Sequence, residues 1–210
     1  MIKTVIFDMD NTLMDFPKNF EIGFRKVLDK FNLNIEPIDL YKAVGEYENI
    51  GKYDYYTKES LIEVVNKVLG LNLGLDFVDE FFCMYDKLIT PIPQETIETL
   101  KYLKSKYKLY IITNWFTESQ KSRLKEAGIL EYFDEVYGTD IIPLKPRKEC
   151  FMSVIGDLKP SECVMIGDSL EKDVNGALNC GLNAILFDYK NKYDGQIQKV
   201  KKISDLKNIL

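Results

Sequence analysis

Residues 4–13, TVIFDMDNTL, contain the pattern from which the fold can first be predicted. The apolar run 5–7 leads directly into Asp8 and Asp10, which are followed by the polar turn 11–12. Apolar runs that stop at a turn are typical of buried parallel strands, and ligands of open α/β sheets bind beyond the carboxyl ends of such strands. We therefore expect two carboxylates at the mouth of a site, where a hard cation with oxygen ligands would offset their repulsion.

Further apolar runs along the chain predict four more strands, which alternate with helical patterns at residues 94–107 and 118–127. This alternation predicts an α/β fold, a Rossmann-like parallel sheet of about five strands with helices on both faces. The additional strands are expected at residues 109–112, 133–137, 163–167 and 184–187.

Residues 15–90 interrupt this alternation, because their apolar side chains recur at helical spacing. We expect an α-helical cap domain over residues 15–90 and a core domain formed by residues 1–14 and 91–210. Within the cap, residues 47–56, YENIGKYDYY, are rich in tyrosine. These tyrosines suit either a rim that meets a polar substrate or an ordinary surface patch.

Polar side chains also follow the second predicted strand. Thr113 and Asn114 come directly after the run 109–112. A hydroxyl and free backbone N–H groups at such a turn can hold a phosphate, although the same residues also form ordinary turns and helix caps. Lys145 lies between two prolines, and its ammonium group is a suitable countercharge for an oxyanion.

The predicted strand 163–167 ends in another group of oxygen ligands, Asp168 and Ser169, with Asp173 shortly after. The two carboxylates could complete a cation site. Asp173 could instead cap the helix that follows, where the helix dipole favours a negative charge. Both interpretations of Asp173 remain open at the level of the sequence.

The composition of the chain excludes several classes of protein. Its 210 residues carry a net charge of -5, without the basic face that nucleic acid or an anionic membrane would require. The absence of histidine excludes Ser-His-Asp and Cys-His hydrolases. The four cysteines form no CxxC pair, and we find no secretory signal or membrane span, so we expect a cytoplasmic protein with free thiols.

Taken in order, these motifs resemble those of the haloacid dehalogenase (HAD) superfamily. The resemblance rests on D-x-D-N-T at residues 8–12, T-N at 113–114, K-P at 145–146 and G-D-S at 167–169 with the later Asp173. It covers the core, while the insertion matches the family's helical C1 cap in position only. The resemblance implies a hydrolase of the phosphatase type.

The same resemblance implies a role for each motif residue. Asp8 would be the nucleophile that forms an aspartyl-phosphate, and Asp10 the general acid and base. Mg²⁺ would be held by Asp8, Asp168 and the backbone carbonyl of Asp10. The phosphoryl oxygens would be bound by Thr113, Asn114 and Lys145, with Thr12, Ser169 and Asp173 in supporting positions.

Three alternatives share parts of this pattern. A haloacid dehalogenase displaces halide, which needs no proton, so the acid at Asp10 favours a phosphatase. A sugar-phosphate mutase of the same family would differ only in protecting its phospho-enzyme from water. A non-hydrolytic phospho-acceptor regulator or binding protein is the rival from another class. We expect the partner to be a small phosphate ester beneath a closing cap, with no nucleic acid or membrane involved.

Overall fold

The computed structural model of the chain describes residues 1–50 and 54–210. Within these residues, six parallel strands form one sheet with the spatial order β3-β2-β1-β4-β5-β6. This order reverses direction between β1 and β4, and such a reversal is where doubly wound α/β sheets bind their ligands. The strands are β1 Thr4–Phe7, β2 Lys108–Ile112, β3 Glu135–Tyr137, β4 Cys163–Gly167, β5 Asn183–Phe187 and β6 Lys199–Val200.

Strand β1 occupies the centre of the sheet, and all four of its residues are buried. Its last residue, Phe7, pairs with Ile111 of β2 on one side and with Ile166 of β4 on the other. The carboxyl ends of the three strands therefore lie side by side. The polar residues that follow these strands in the sequence emerge at this one edge of the sheet.

The predicted helical insertion is present between β1 and the part of the core that begins before β2. Its helices bury an aromatic-rich cluster that also receives Trp115, Phe116 and Leu144 from the core. Where the chain leaves and re-enters the core, the Thr90 hydroxyl donates a 2.8 Å hydrogen bond to the carbonyl of Asp15. We therefore propose residues 15–90 as the cap and the remainder as the core. The helices are α1 Phe20–Lys30, α2 Pro37–Gly45, α3 Tyr47–Ile50, α4 Lys58–Leu69 and α5 Leu75–Tyr85.

Helices cover the sheet in the rest of the chain, as the α/β pattern predicts. They are α6 Gln94–Lys104, α7 Thr117–Glu126, α8 Lys148–Ile155 and α9 Gly176–Asn179. A π-helical stretch, Leu170–Asn175, precedes α9, and 3-10 turns lie at Leu130–Tyr132, Pro160–Glu162 and Ile203–Asn208. No helix in the described part of the chain has the length and apolar character needed to cross a membrane.

The predicted fold class is confirmed, but two strands differ from the prediction. Strand β6 was not predicted, because its two residues are too few to show an alternating pattern. It pairs with β5 through Val200, which lies opposite Phe187. Strand β3 begins at Glu135 instead of residue 133, and residues 133–134 connect it to the 3-10 turn that ends at Tyr132. Of the tyrosine-rich stretch, residues 51–53 lie outside the described part of the chain.

Candidate active site

The loop after β1 turns sharply and thereby presents Asp8. Asn11 adopts a left-handed conformation, with φ of 63°, which asparagine tolerates better than most residues. Its N–H donates to the carbonyl of Met14 at 2.7 Å and closes the turn. The buried hydroxyl of Thr12 then donates to Oδ2 of Asp8 at 3.1 Å. Thr12 therefore holds the Asp8 carboxylate in one orientation.

Asp8 is buried at the carboxyl end of β1, with 8% of its surface exposed. Burial raises the pKa of Asp8 to about 8, and the neighbouring Asp173 and Asp168 act in the same direction, whereas Lys145 opposes them. One lysine therefore does not fully compensate for the buried negative charge at this site. A further cation would restore the ionised form of Asp8.

Lys145 lies between two buried carboxylates of the site. Its ammonium Nζ is 2.6 Å from Oδ1 of Asp8 and 2.6 Å from Oδ1 of Asp173. The Asn114 side chain fixes the lysine backbone, since its Oδ1 accepts from the Lys145 N–H at 2.8 Å and its Nδ2 donates to the Lys145 carbonyl at 3.2 Å. Burial alone would lower the Lys145 pKa, but Asp173 and Asp8 raise it above its usual value.

Asp173 is at the same time a helix cap and a member of the site. Its Oδ2 accepts a hydrogen bond from the Ser169 N–H at 3.0 Å, while the Ser169 Oγ accepts from the Lys172 N–H at 3.1 Å. This reciprocal pair satisfies free N–H groups at the start of the π-helical stretch. Gly167 allows the close approach, because a Cβ there would lie 2.2 Å from Oδ2 of Asp173.

Asp8, Asp168 and Asp173 form a set that fits a divalent cation. One carboxylate oxygen from each residue lies within 4.8 Å of the others. Burial, followed by the charge of Asp173, raises the pKa of Asp168 to about 6, which again reflects crowded negative charge. Carboxylate oxygens are the ligands that Mg²⁺ prefers. The side chain of Asp10 is not in this set, so its expected contribution through the backbone carbonyl stays a prediction.

The carboxylate of Asp10 instead points to two residues of α7 that the sequence analysis did not select. Oδ1 accepts from Nη1 of Arg123 at 2.7 Å, and Oδ2 accepts from Nε2 of Gln120 at 2.7 Å. Gln120 also donates to the hydroxyl of Thr113 at 2.9 Å. A sequence feature could have indicated these residues, because Gln120 lies one helical turn from both Arg123 and the fully buried Leu124.

A cavity of about 540 Å³ lies between this edge of the sheet and the cap. The site residues Asp8, Asp10, Thr113 and Lys145 form its floor, and aromatic rings of the cap form much of its walls. Its volume falls within the range of small-molecule sites. The aromatic wall residues include Phe16, Phe24, Tyr41, Tyr47, Phe81 and Tyr85, together with Trp115 of the core.

Glu48, in the short helix α3, connects the cap with the floor of the cavity. Its Oε2 accepts from Nδ2 of Asn114 at 3.1 Å and also forms an ion pair with Lys172. In the described part of the tyrosine-rich stretch, Tyr47, Glu48 and Asn49 line the cavity. Tyr47 is buried against Tyr56 and Trp115. Tyr55, in contrast, is exposed to solvent.

The sequence profile of the haloacid dehalogenase-like hydrolases matches residues 2–181 of the chain. The chain belongs to this family. The superfamily predicted from the motifs is therefore confirmed, and so is the prediction that the protein is an enzyme, a HAD-like hydrolase. With the family established, the strand-end arrangement of Asp8, Thr113, Lys145 and Asp168 is the candidate active site of this HAD-like hydrolase.

Relatives of this HAD-like hydrolase include proteins that are named as phosphatases. A glyceraldehyde 3-phosphate phosphatase of Methanothermobacter thermautotrophicus is 31% identical, with 100% of both chains covered. The pyrimidine 5'-nucleotidase YjjG of Escherichia coli is 28% identical over 85% of this chain and 82% of its own. The magnesium-bound structure of the HAD hydrolase YfnB from Bacillus subtilis covers 100% of this chain and 98% of its own, with a TM-score of 0.77 at 20% identity. At that identity the likeness concerns the fold.

Proposed function

We propose that this protein is a Mg²⁺-dependent phosphatase that hydrolyses a small phosphomonoester metabolite through an aspartyl-phosphate on Asp8. The position of Asp10 carries the proposal. Its carboxylate lines the cavity but stands apart from the cluster of Asp8, Asp168 and Asp173. It is therefore available for proton transfer instead of binding a cation. The phosphatases among the relatives support the same substrate class.

In the first step, a carboxylate oxygen of Asp8 attacks phosphorus and the bond from phosphorus to the ester oxygen breaks. Asp10 gives its proton to the departing oxygen, so that the product leaves as an alcohol. In the second step, a water molecule attacks the aspartyl-phosphate while Asp10 takes a proton from it. Inorganic phosphate is released, and Asp8 and Asp10 return to their starting states.

The residues around Asp8 prepare it for this reaction. Thr12 and Lys145 each hold one oxygen of the carboxylate, so its orientation is set before the substrate arrives. Lys145, the Thr113 hydroxyl and the backbone of Asn114 would bind the phosphoryl oxygens. Mg²⁺ held by Asp8 and Asp168, with the backbone carbonyl of Asp10, would supply the positive charge that lets two anions approach each other.

The alternatives differ from this proposal in what they require of Asp10 and of water. Displacement of halide leaves no oxygen to protonate, so a dehalogenase has no use for a carboxylate at Asp10. A sugar-phosphate mutase would use Asp8 and Asp10 in the same way but would return the phosphoryl group to its sugar. A phospho-acceptor regulator would need no cavity for a leaving group above Asp8.

The test is release of inorganic phosphate by the purified protein, with Mg²⁺ or with EDTA. The panel would contain glyceraldehyde 3-phosphate, pyrimidine nucleoside monophosphates, hexose phosphates and p-nitrophenyl phosphate, together with 2-chloropropionate for halide release. We expect Mg²⁺-dependent release of phosphate that is selective for one small ester. The matched control is Asp8→Asn, which keeps the side-chain shape but removes the nucleophile and should show no turnover.

The other outcomes would each indicate a different activity or contradict the proposal. Halide release without phosphate release would make the protein a dehalogenase. Interconversion of hexose phosphates without phosphate release would make it a mutase. Normal phosphate release by Asp8→Asn would contradict the aspartyl-phosphate mechanism, and inactivity of the wild-type protein toward the whole panel would contradict the proposal itself.

A further inference from the structure

Arg123 is an arginine with no exposed surface at all. A buried guanidinium group is costly unless a carboxylate and further acceptors satisfy it. Its carboxylate partner is Asp10, at 2.7 Å, and its Nε donates to the Leu88 carbonyl at 3.3 Å. The group also lies 4.8 Å from the ring centre of Tyr85. The cost of burying this charge is thus offset mainly at Asp10.

Gln120, one helical turn before Arg123, completes the arrangement. It is also fully buried. Its Nε2 donates to Asp10 and to Thr113, while its Oε1 accepts from Nη1 of Arg123 at 2.8 Å. Both oxygens of the Asp10 carboxylate are therefore held, and by two different side chains. Held in this way, the carboxylate has a single orientation with little freedom to rotate.

Neither Arg123 nor Gln120 is among the residues that line the cavity in the described part of the chain. They have no direct access to a substrate bound above Asp8, so any effect on the reaction must pass through Asp10, Thr113 or the wall residue Tyr85, which Arg123 contacts. Arg123 also contacts Tyr85 and Leu88, at the end of the cap where the chain returns to the core. The same guanidinium group therefore connects Asp10 with the cap.

We infer that Arg123 and Gln120 are positioning residues, which hold Asp10 at the place where it exchanges a proton with the leaving oxygen and with water. This inference rests on the proposed phosphatase function. An acid or base that is misplaced by about 1 Å can cost about a hundredfold in rate.

The test compares two leaving groups in the holoenzyme with Mg²⁺. The p-nitrophenolate ion leaves without help from an acid, whereas the alkoxide of glyceraldehyde 3-phosphate needs a proton. For Arg123→Met, we expect kcat/KM, which reports the first chemical step, to fall about a hundredfold with the alkyl ester and less than about tenfold with p-nitrophenyl phosphate. Arg123→Lys should recover part of the loss, because it restores a positive charge near Asp10.

A double variant distinguishes a loss of activity that passes through Asp10 from a general disruption of the structure. In an Asp10→Asn background, Arg123→Met should add less than about a twofold loss, because its effect passes through a group that is already gone. Lys104→Met, which removes a surface ion pair with Asp134, controls for the loss of a cation elsewhere and should leave kcat/KM unchanged. If Arg123→Met does not fold, Gln120→Met tests the same inference and should show the same dependence on leaving group.

A crystal structure of the Arg123→Met or Gln120→Met variant provides a readout that is independent of activity. We expect the Asp10 carboxylate to move away from the position that it occupies in the wild-type protein, where Gln120 donates to both Asp10 and Thr113. An unmoved carboxylate would overturn the inference, as would equal losses for the two leaving groups or additive losses in the double variant. Wild-type protein that cleaves none of the phosphate esters in the panel would instead contradict the proposed function, and the crystal structure would still decide whether α7 positions Asp10.

Discussion

The ammonium group of Lys145 lies 2.6 Å from Oδ1 of Asp8, and both side chains are buried at the carboxyl edge of the sheet. The same ammonium is equally close to Asp173. A single positive charge is thus shared between two carboxylates, with a third, Asp168, next to them. The site is short of positive charge, and this shortage determines how it should respond to mutation, pH and metal.

Replacement of Lys145 by methionine should lower both stability and activity. The substitution leaves Asp8 and Asp173 buried without their cation, and breaking a buried pair in this way costs about 3–5 kcal/mol of unfolding free energy. Loss of a charge that would bind the phosphoryl group should reduce kcat by about a hundredfold or more. Urea unfolding in EDTA and steady-state kinetics with Mg²⁺ measure the two effects.

The matched control for Lys145 is Lys199, whose Nζ lies 3.2 Å from the buried Asp188; neither residue lines the cavity. Lys199→Met should lower stability but leave kcat/KM unchanged. Full activity of Lys145→Met would contradict the role of this lysine in the site.

Mg²⁺ should stabilise the protein more at pH 8 than at pH 5.5. Burial raises the pKa of Asp8 to about 8 and that of Asp168 to about 6, from the 3.8 expected in the unfolded chain. The metal-free folded state therefore binds more protons than the unfolded state, and its stability declines as pH rises through this range. The slope is at most about 1.4 kcal/mol per pH unit for each group. At the lower pH, protons compete with the cation for the carboxylates.

Thermal unfolding at the two pH values, with EDTA and with Mg²⁺, measures this linkage. Asp8→Asn removes the main titrating group, so it should flatten the pH dependence in EDTA. An equal increase in Tm on adding Mg²⁺ at both pH values would show that these carboxylates do not bind the ion.

Gly167→Ala should disturb the site through Asp173. The new Cβ would lie 2.2 Å from Oδ2 of Asp173, which is already held by Lys145 and Ser169. Because the carboxylate has no free direction in which to move, we expect a loss of about 1–3 kcal/mol in stability, with reduced activity. Gly195→Ala is the matched control, since its Cβ would have only an ordinary contact of 3.8 Å with Ile197. Equal effects of the two substitutions on Tm and kcat would refute this account.

Tyr47→Phe should leave stability unchanged or raise it by about 1 kcal/mol. The buried Tyr47 hydroxyl has no hydrogen-bond partner among the described residues, so removing it eliminates the cost of an unsatisfied polar group. Tyr56→Phe is the matched comparison, because the Tyr56 hydroxyl donates to the backbone carbonyl of Tyr47. That substitution should cost about 1 kcal/mol. Chemical unfolding of both variants measures the difference, and a destabilised Tyr47→Phe would reveal a partner for its hydroxyl.

The positions of Asp8, Thr113 and Asp168 could be predicted because they depend on local sequence. Each follows a short apolar run that is recognisable as a buried strand, and parallel strands place their carboxyl ends at one edge of the sheet. The helical insertion could also be predicted, because its apolar side chains recur at helical spacing. The short strand β6 was not predicted, because two residues show no periodicity.

The order of the residues was thus enough to predict the fold class, the family and the set of acidic and polar residues at the sheet edge. How these side chains pair could be seen only in the folded protein. Arg123 meets Asp10 across 113 residues, and Lys145 meets Asp8 across 137. Such pairs leave no local pattern in the chain, because they depend on how α7 and the loop carrying Lys145 pack against the sheet. Charge and hydrogen-bond partners are therefore set by packing, whereas strand ends are set by the order of the residues.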